Sequence, residues 1–212
     1  MRKLFFATVL VGIACTGLAQ ANTITGSLWH VPEATSQNAI PANVPATTPT
    51  VTFDVNSPLD FFSGDITTVA TWLASSGAFN IAENIAGSLS SLMDNGTTGT
   101  LVQFIGSVSV TNGQNFTVDH DDGLTLVIGT TDLGFPTGPG GGFTTVTYTG
   151  PTGTFPFKLV YGECCGGAAV LQVDLPASDV PVPGPIAGAG LPGLILASGG
   201  LLGWWRRRQK TA

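Results

Sequence analysis

Hydrophobic and polar positions alternate along most of this chain, in short runs broken by turn residues. Ile24-Thr25-Gly26-Ser27-Leu28-Trp29-His30-Val31 reads as an opening strand, and Thr50-Val51-Thr52-Phe53 as a second. Between them, residues 33–49 are rich in proline and alanine and read as a surface segment. From Gly99 the alternation becomes regular. Val102, Phe104, Ile105, Val108 and Val110 mark a strand within Thr100 to Thr111, and Asn112-Gly113 is the turn after it. Asn115 to His120 and Leu124 to Ile128 follow, with Asp121-Asp122-Gly123 as the break. A glycine-rich loop, Thr137 to Gly142, precedes runs at Phe143 to Thr149, Phe155 to Tyr161 and Ala168 to Leu175. Strands this short, at roughly ten-residue spacing, predict an all-β fold, a sandwich or a barrel. One stretch departs from period two. Between Thr67 and Met93, Val69, Trp72 and Leu73 are spaced for a helical face, as are Ile81, Ile85, Leu89 and Leu92, so short helices in an insertion are predicted there.

The two ends carry a different pattern. Met1-Arg2-Lys3 is a short positive region, Leu4 to Leu18 is apolar, and Ala19-Gln20-Ala21 places small residues where a signal peptidase reads them. Residues 1–21 therefore read as a secretory signal peptide. The apolar stretch is too short to span a bilayer comfortably. Cys15 lacks the upstream leucine of a lipoprotein signal. At the other end, residues 179–185 form a proline-rich extended spacer, since each proline fixes φ and removes a donor. Residues 186–205 are an uncharged run long enough for a transmembrane helix. Trp204 and Trp205 sit where an interfacial belt would lie, and residues 206–212 are a basic tail held in the cytoplasm by the positive-inside rule.

Setting the ends aside changes the charge. Between Asn22 and Pro185, Lys158 stands alone against thirteen acidic residues, a net charge of −12 where the whole chain carries −6. A nucleic acid or an anionic lipid surface needs basic patches, and this segment has none. Its acidity suits cation binding or simple solubility. The segment is long enough for one domain with its own core, residues 22–178 by this reading. Cys164 and Cys165 are its two cysteines, so no disulfide framework staples it. The pair is open to three readings: bonded to each other, free and buried, or linked between molecules.

Catalytic patterns are absent. His120 is flanked by Asp119 and Asp121, but neighbours along a strand point to opposite faces. No serine lies in a nucleophile elbow. Glu163 and Asp121 would form a glycosidase-like pair only if the fold brought them together.

The C-terminal residues Pro181, Val182 and Pro183, the glycine-rich apolar helix and Arg206, Arg207 and Arg208 resemble the PEP-CTERM sorting signals of Gram-negative bacteria. Val182 stands where that family usually has glutamate. The resemblance implies an exosortase-type sorting protease as a partner beside signal peptidase. It also implies anchoring in the inner membrane by the tail, followed by release to the cell surface or extracellular matrix. A plain single-span anchor is the other reading of the same tail.

Phe116-x-Val118-Asp119-His120-Asp121-Asp122-Gly123-Leu124-x-Leu126-x-Ile128 resembles the central motif of the PA-fourteen domain, which the GLEYA and flocculin adhesins share. Phe157 to Glu163 and Gly166 to Leu171 are similar to that family's closing strands, and Gly26 to Trp29 to its start. The resemblance implies an antiparallel β-sandwich. In the adhesin branch it further implies a cis peptide between Asp121 and Asp122, both carboxylates on one Ca²⁺, and sugar hydroxyls completing the shell. The ligand-binding residues carried over are Asp121, Asp122, Gly123, Glu163 and Gly166. Those implied to hold metal are Asp121, Asp122 and Glu163. The family's second loop often supplies an asparagine; this chain has none after Asn115, and Glu163-Cys164-Cys165-Gly166-Gly167 occupies the corresponding turn. The chemistry is coherent, because Ca²⁺ takes six to eight oxygens and vicinal diols supply two. Two functions follow as expectations: a surface protein that binds glycans through calcium, or a structural surface or matrix protein with no small ligand.

Overall fold

A computed structural model describes residues 23–176. The expected signal peptide, spacer, transmembrane helix and basic tail lie outside the described residues, as do Pro181, Pro183, Arg206, Arg207 and Arg208. Among the described residues no helix is long and apolar enough to cross a membrane.

Eleven strands and two short helices are ordered β1 (Thr23–Pro32), α1 (Glu33–Ser36), β2 (Val51–Asn56), β3 (Leu59–Phe62), α2 (Val69–Ser75), β4 (Phe79–Glu83), β5 (Thr98–Val110), β6 (Asn115–Asp121), β7 (Leu124–Ile128), β8 (Thr131–Asp132), β9 (Gly142–Thr147), β10 (Gly153–Glu163) and β11 (Val170–Val173). They form a seven-stranded sheet, β4-β2-β1-β5-β10-β7-β8, and a four-stranded sheet, β3-β11-β6-β9. All strand pairs are antiparallel. Alternation decides which side chains meet between the sheets. In β2, Val51, Phe53 and Val55 are buried; in β6, Phe116, Val118 and His120 are.

The core is joined by aromatic rings. Phe53 of β2 meets Phe104 of β5 edge-on at 5.8 Å, and Phe61 of β3 meets Phe104 at 5.5 Å, so the two sheets touch through these rings. Phe61 stacks on Trp72 of α2 at 4.1 Å, and Trp72 stacks on Tyr161 of β10 at 5.8 Å. Aromatic pairs at these spacings add to their area burial.

The insertion is only partly helical. Val69, Trp72 and Leu73 are the buried face of α2, as predicted, and Thr68 caps it by accepting from the Thr71 N–H. Ile81 is not helical. It lies in β4, an exposed edge strand that pairs with β2. Asn80 ties this edge down by donating to Asp54 Oδ2 at 2.9 Å, a cross-strand contact that outweighs the helical spacing.

Residues 33–49 are also more than a surface segment. They cover a second, smaller core on the outer face of the large sheet, made by Trp29, Val31, Ala39, Leu101 and Val160. Trp29 Nε1 donates to the Thr47 carbonyl. The cover lies close because two glycines face it. A Cβ on Gly99 would meet Ser36 Oγ at 2.1 Å, and one on Gly162 would meet the Ser36 carbonyl oxygen at 2.3 Å.

Three links gather at one end of the sandwich. Asp122-Gly123 carries the chain from β6 to β7, and Cys164 to Ala169 carries it from β10 to β11; each crosses from one sheet to the other. The loop before β9 lies beside them, with the Leu124 N–H donating to the Pro136 carbonyl. Both described chain ends lie at the opposite end. β1 runs towards the loops from Thr23, and the Ser109 N–H, far along β5, donates to the Pro176 carbonyl.

Trp72 joins the insertion to both sheets, so Trp72→Ala is expected to destabilise the domain by about 3–5 kcal/mol in urea unfolding. Trp72→Phe removes an indole N–H that has no acceptor, and is expected to cost less.

Candidate functional site

The Asp-Asp-Gly element divides three tasks among three residues. Asp122 is 4 % exposed. Its Oδ1 accepts from the Gly140 N–H at 2.9 Å and its Oδ2 from the Cys164 N–H at 2.7 Å. One carboxylate therefore ties the glycine-rich loop to the Cys164 turn. Charge-assisted bonds of this kind are about twice as strong as neutral ones. Gly123 makes close approach possible, since a Cβ there would meet the Thr137 carbonyl oxygen at 2.3 Å. Its own carbonyl accepts from the Gly162 N–H. Asp121 is half-buried and carries the carboxylate that faces the loops. A Cβ on Gly141 would meet its Cγ at 2.7 Å, and one on Gly167 would meet its Oδ2 at 3.6 Å. The side chain thus lies in a cradle of glycine backbone from two loops. The Asp121–Asp122 peptide is cis, the arrangement the adhesin resemblance implies.

Burial raises the Asp121 pKa, and the neighbouring Asp122 raises it further. Only His120 opposes the rise: Lys158, the one lysine or arginine among the described residues, lies on β10 beside Ile105 and Val127.

His120 braces the turn. Its Nδ1 donates to the Asp122 carbonyl at 2.6 Å, and its Nε2 shares a hydrogen bond of 2.9 Å with the Thr144 hydroxyl. Both ring nitrogens are thereby occupied.

Glu163, expected among the residues that hold metal, is enclosed by protein. It is 2 % exposed and points into the core end of β10. The Tyr161 hydroxyl donates to the Asp121 carbonyl oxygen and lies 2.5 Å from Glu163 Oε2. The same hydroxyl donates to Glu163 Oε2. Burial, with the Tyr161 bond opposing and Asp122, Asp121 and Asp94 assisting, pushes the Glu163 pKa up to about 9. Its carboxyl is engaged with Tyr161, so a cation that used it would have to displace that bond and a proton. Among the described residues no group of three or more His, Cys, Asp or Glu side chains is arranged to hold a metal ion. What remains for Ca²⁺ is an oxygen set of Asp121, the free lone pairs of Asp122 and the backbone of the surrounding loops. That set fits a hard cation in chemical type, and the glycine cradle leaves Asp121 without a covering side chain.

Gly166 has a positional role. Its N–H donates to Asp94 Oδ2 at 2.9 Å, while the other Asp94 oxygen accepts from the Gly96 N–H. A cavity of about 450 Å³ beside this turn is lined by Glu33, Asp65, Ile66, Asp94, Cys165 and Gly166. Cys164 and Cys165 are both free, Cys164 buried and Cys165 exposed, so the mutual disulfide is not formed. Burial, Cys165 and Asp122 all push the Cys164 thiol upward, which makes it inert.

Tyr161 and Asp94 are the residues that sequence reasoning missed. Tyr161 had a signal: it stands two positions before Glu163, so the two share one face of a strand. Asp94 had none, because its partner lies 72 positions away.

No family model and no curated protein matches the chain. Among solved structures it is similar to a PA14 sugar-binding domain from an RTX adhesin, at 17 % identity and a TM-score of 0.47, over 73 % of this chain and 89 % of that one. It is also similar to the PA14 domain of the MpAFP antifreeze protein, at 18 % identity and a TM-score of 0.46, over 80 % and 90 %.

Two outcomes are expected. Asp122→Ala leaves two backbone N–H groups without an acceptor, and each such loss costs about 1–3 kcal/mol, so a marked fall in the urea midpoint is expected, with Asp122→Asn intermediate. Glu163 sets a pH dependence. The folded chain keeps its proton up to about pH 9, whereas an unfolded glutamate releases it near 4.5, so this group makes stability fall as pH rises through that window. Thermal midpoints measured in EDTA should decline towards pH 9 in the native chain and decline less in Glu163→Gln.

Proposed function

We propose that this chain is an exported carbohydrate-binding domain in which Asp121 and Asp122 hold a calcium ion. The carrying observation is the pair of adjacent carboxylates, one immobilised by the Gly140 and Cys164 N–H groups and the other cradled by Gly141 and Gly167, with no lysine or arginine among the described residues beside them. Adjacent carboxylates repel, and a bound cation relieves that repulsion. When bound, calcium supplies an oxygen-seeking centre whose remaining positions suit the vicinal hydroxyls of a sugar. The chain's own residues do the positioning. Asp122 fixes the loops, Tyr161 fixes the Asp121 backbone, and Gly123 lets Thr137 close against the turn. The role proposed is binding without catalysis.

The two sequence ends add the location. A signal peptide, a tail resembling a sorting signal and an acidic ectodomain fit a protein delivered to the cell surface or extracellular matrix, with glycans as its partners there. One observation favours a second reading. Both Asp122 oxygens are already satisfied by backbone N–H groups, as a purely structural turn requires. A structural surface protein with no small ligand would use the same bonds.

Calorimetry separates the two. After EDTA treatment, the purified chain is expected to take up Ca²⁺ with a Kd of about 0.1–1 mM, the range of extracellular modules. Asp121→Ala is expected to abolish that heat, and glycan-array binding is expected to vanish in EDTA. No heat with the native chain, or equal heat with the variant, would leave the structural reading.

A further inference from the structure

The outer face of the four-stranded sheet carries a pattern that the loop site does not explain. Register places Phe62, Val170 and Asp121 in one row across β3, β11 and β6. The next outward row is Asp60, Gln172, Asp119 and Phe143, across all four strands. Thr117 and Thr145 form the row after that and share a hydroxyl contact of 2.8 Å. The alternate residues Phe61, Leu171, His120 and Val118 are buried between the sheets, so these rows lie on the other face, where Val170 alone of them is covered.

Phe62 is 59 % exposed and Phe143 is 78 % exposed. Leaving such rings in water forgoes much of the free energy of their burial. They stand at opposite margins of the face, on β3 and β9. Three strand intervals of about 4.8 Å separate their strands, so the rings lie on the order of 15 Å apart. Between them the face is polar. Gln172 donates to Asp60, and the hydroxyls of Thr117 and Thr145 lie beside Asp119. A shallow cavity of about 320 Å³ lies on this face, lined in part by Asp60, Thr117 and Gln172.

We infer that this face is a platform for a neutral glycan chain that continues outward from Asp121, an inference that rests on the proposed sugar-binding site and extends it. Three observations select that occupant. The face holds carboxylates, an amide and hydroxyls but no cation, so a phosphate, sulfate or uronate polymer is repelled. Its polar groups are chiefly acceptors, which suits a partner made of hydroxyl donors. Its two rings offer flat apolar surface with negative faces, which suits the polarised C–H side of a sugar ring. Asp121 lies in the same row as Phe62, so a chain whose first unit sits at the loops passes onto the platform without a turn.

The test uses the full chain with Ca²⁺ and neutral gluco- and manno-oligosaccharides, from monosaccharide to hexasaccharide. Native affinity is expected to rise with chain length. The double variant Phe62→Ala and Phe143→Ala is expected to keep monosaccharide affinity and lose the gain with length, roughly tenfold for the longest sugar. Phe→Tyr at both positions should retain it. Both residues are exposed, so folding is not at stake, and thermal midpoints check this. A length gain that survives in the alanine variant overturns the platform and leaves the loop site standing. Binding that persists in Asp121→Asn but falls with the two rings removed overturns the loop site and supports the platform. If no sugar of either series binds, both fall. Salt-sensitive binding to a cationic protein such as polylysine, without any response to sugars, likewise overturns the platform.

Discussion

The bonds from Asp122 to two backbone N–H groups hold this end of the molecule together. One donor comes from the loop before β9 and the other from the turn after β10. These segments are far apart in sequence, and their glycines supply little side-chain packing of their own. A buried carboxylate is costly unless its oxygens are bonded, and here each bond also positions a loop. Asp121 then has a fixed place to stand, because its cradle is built from the loops that Asp122 holds. The ligand-facing group and the structural group are adjacent in the chain but do opposite work: one is anchored so that the other can remain open.

The core reaches this end through a line of rings. Phe53, Phe104 and Phe61 join the two sheets, Trp72 extends the line into α2, and Tyr161 ends it with a hydroxyl under the Asp121 carbonyl. Apolar packing thus becomes a single polar contact at the turn. Glu163 belongs to the same network: it accepts from Tyr161, and its burial pushes its pKa up to about 9.

Much of this is legible in the sequence. The period-two runs from β5 onward located the strands, because alternation is imposed by the two faces of a sheet. The Asp-Asp-Gly break located the turn, and the resemblance anticipated its cis peptide. Errors came where local pattern and tertiary contact disagree. Ile81 has helical spacing but sits on an edge strand, where pairing with β2 and the Asn80 bond to Asp54 decide the backbone. Residues 33–49 look like a loop because alanine and proline carry no period, yet Ala39 is fully buried. Glu163 keeps its expected place in the turn, but its enclosure beside Tyr161 could not be read, because a linear spacing does not encode depth. Phe62 and Phe143 stood unremarked because only register reveals that they flank the same face.

The placement of the chain ends has a mechanical meaning. The loops lie at one end of the sandwich, while Thr23 and Pro176 lie at the other, both alongside β5. A pull between something held at the loops and either chain end therefore runs along the strands. β5 faces β1 over eight residue pairs and β10 over eleven, and ladder bonds in antiparallel sheets lie perpendicular to the strands. Such a load shears many bonds at once instead of peeling them singly, so the long central strands act as the tension member of the domain.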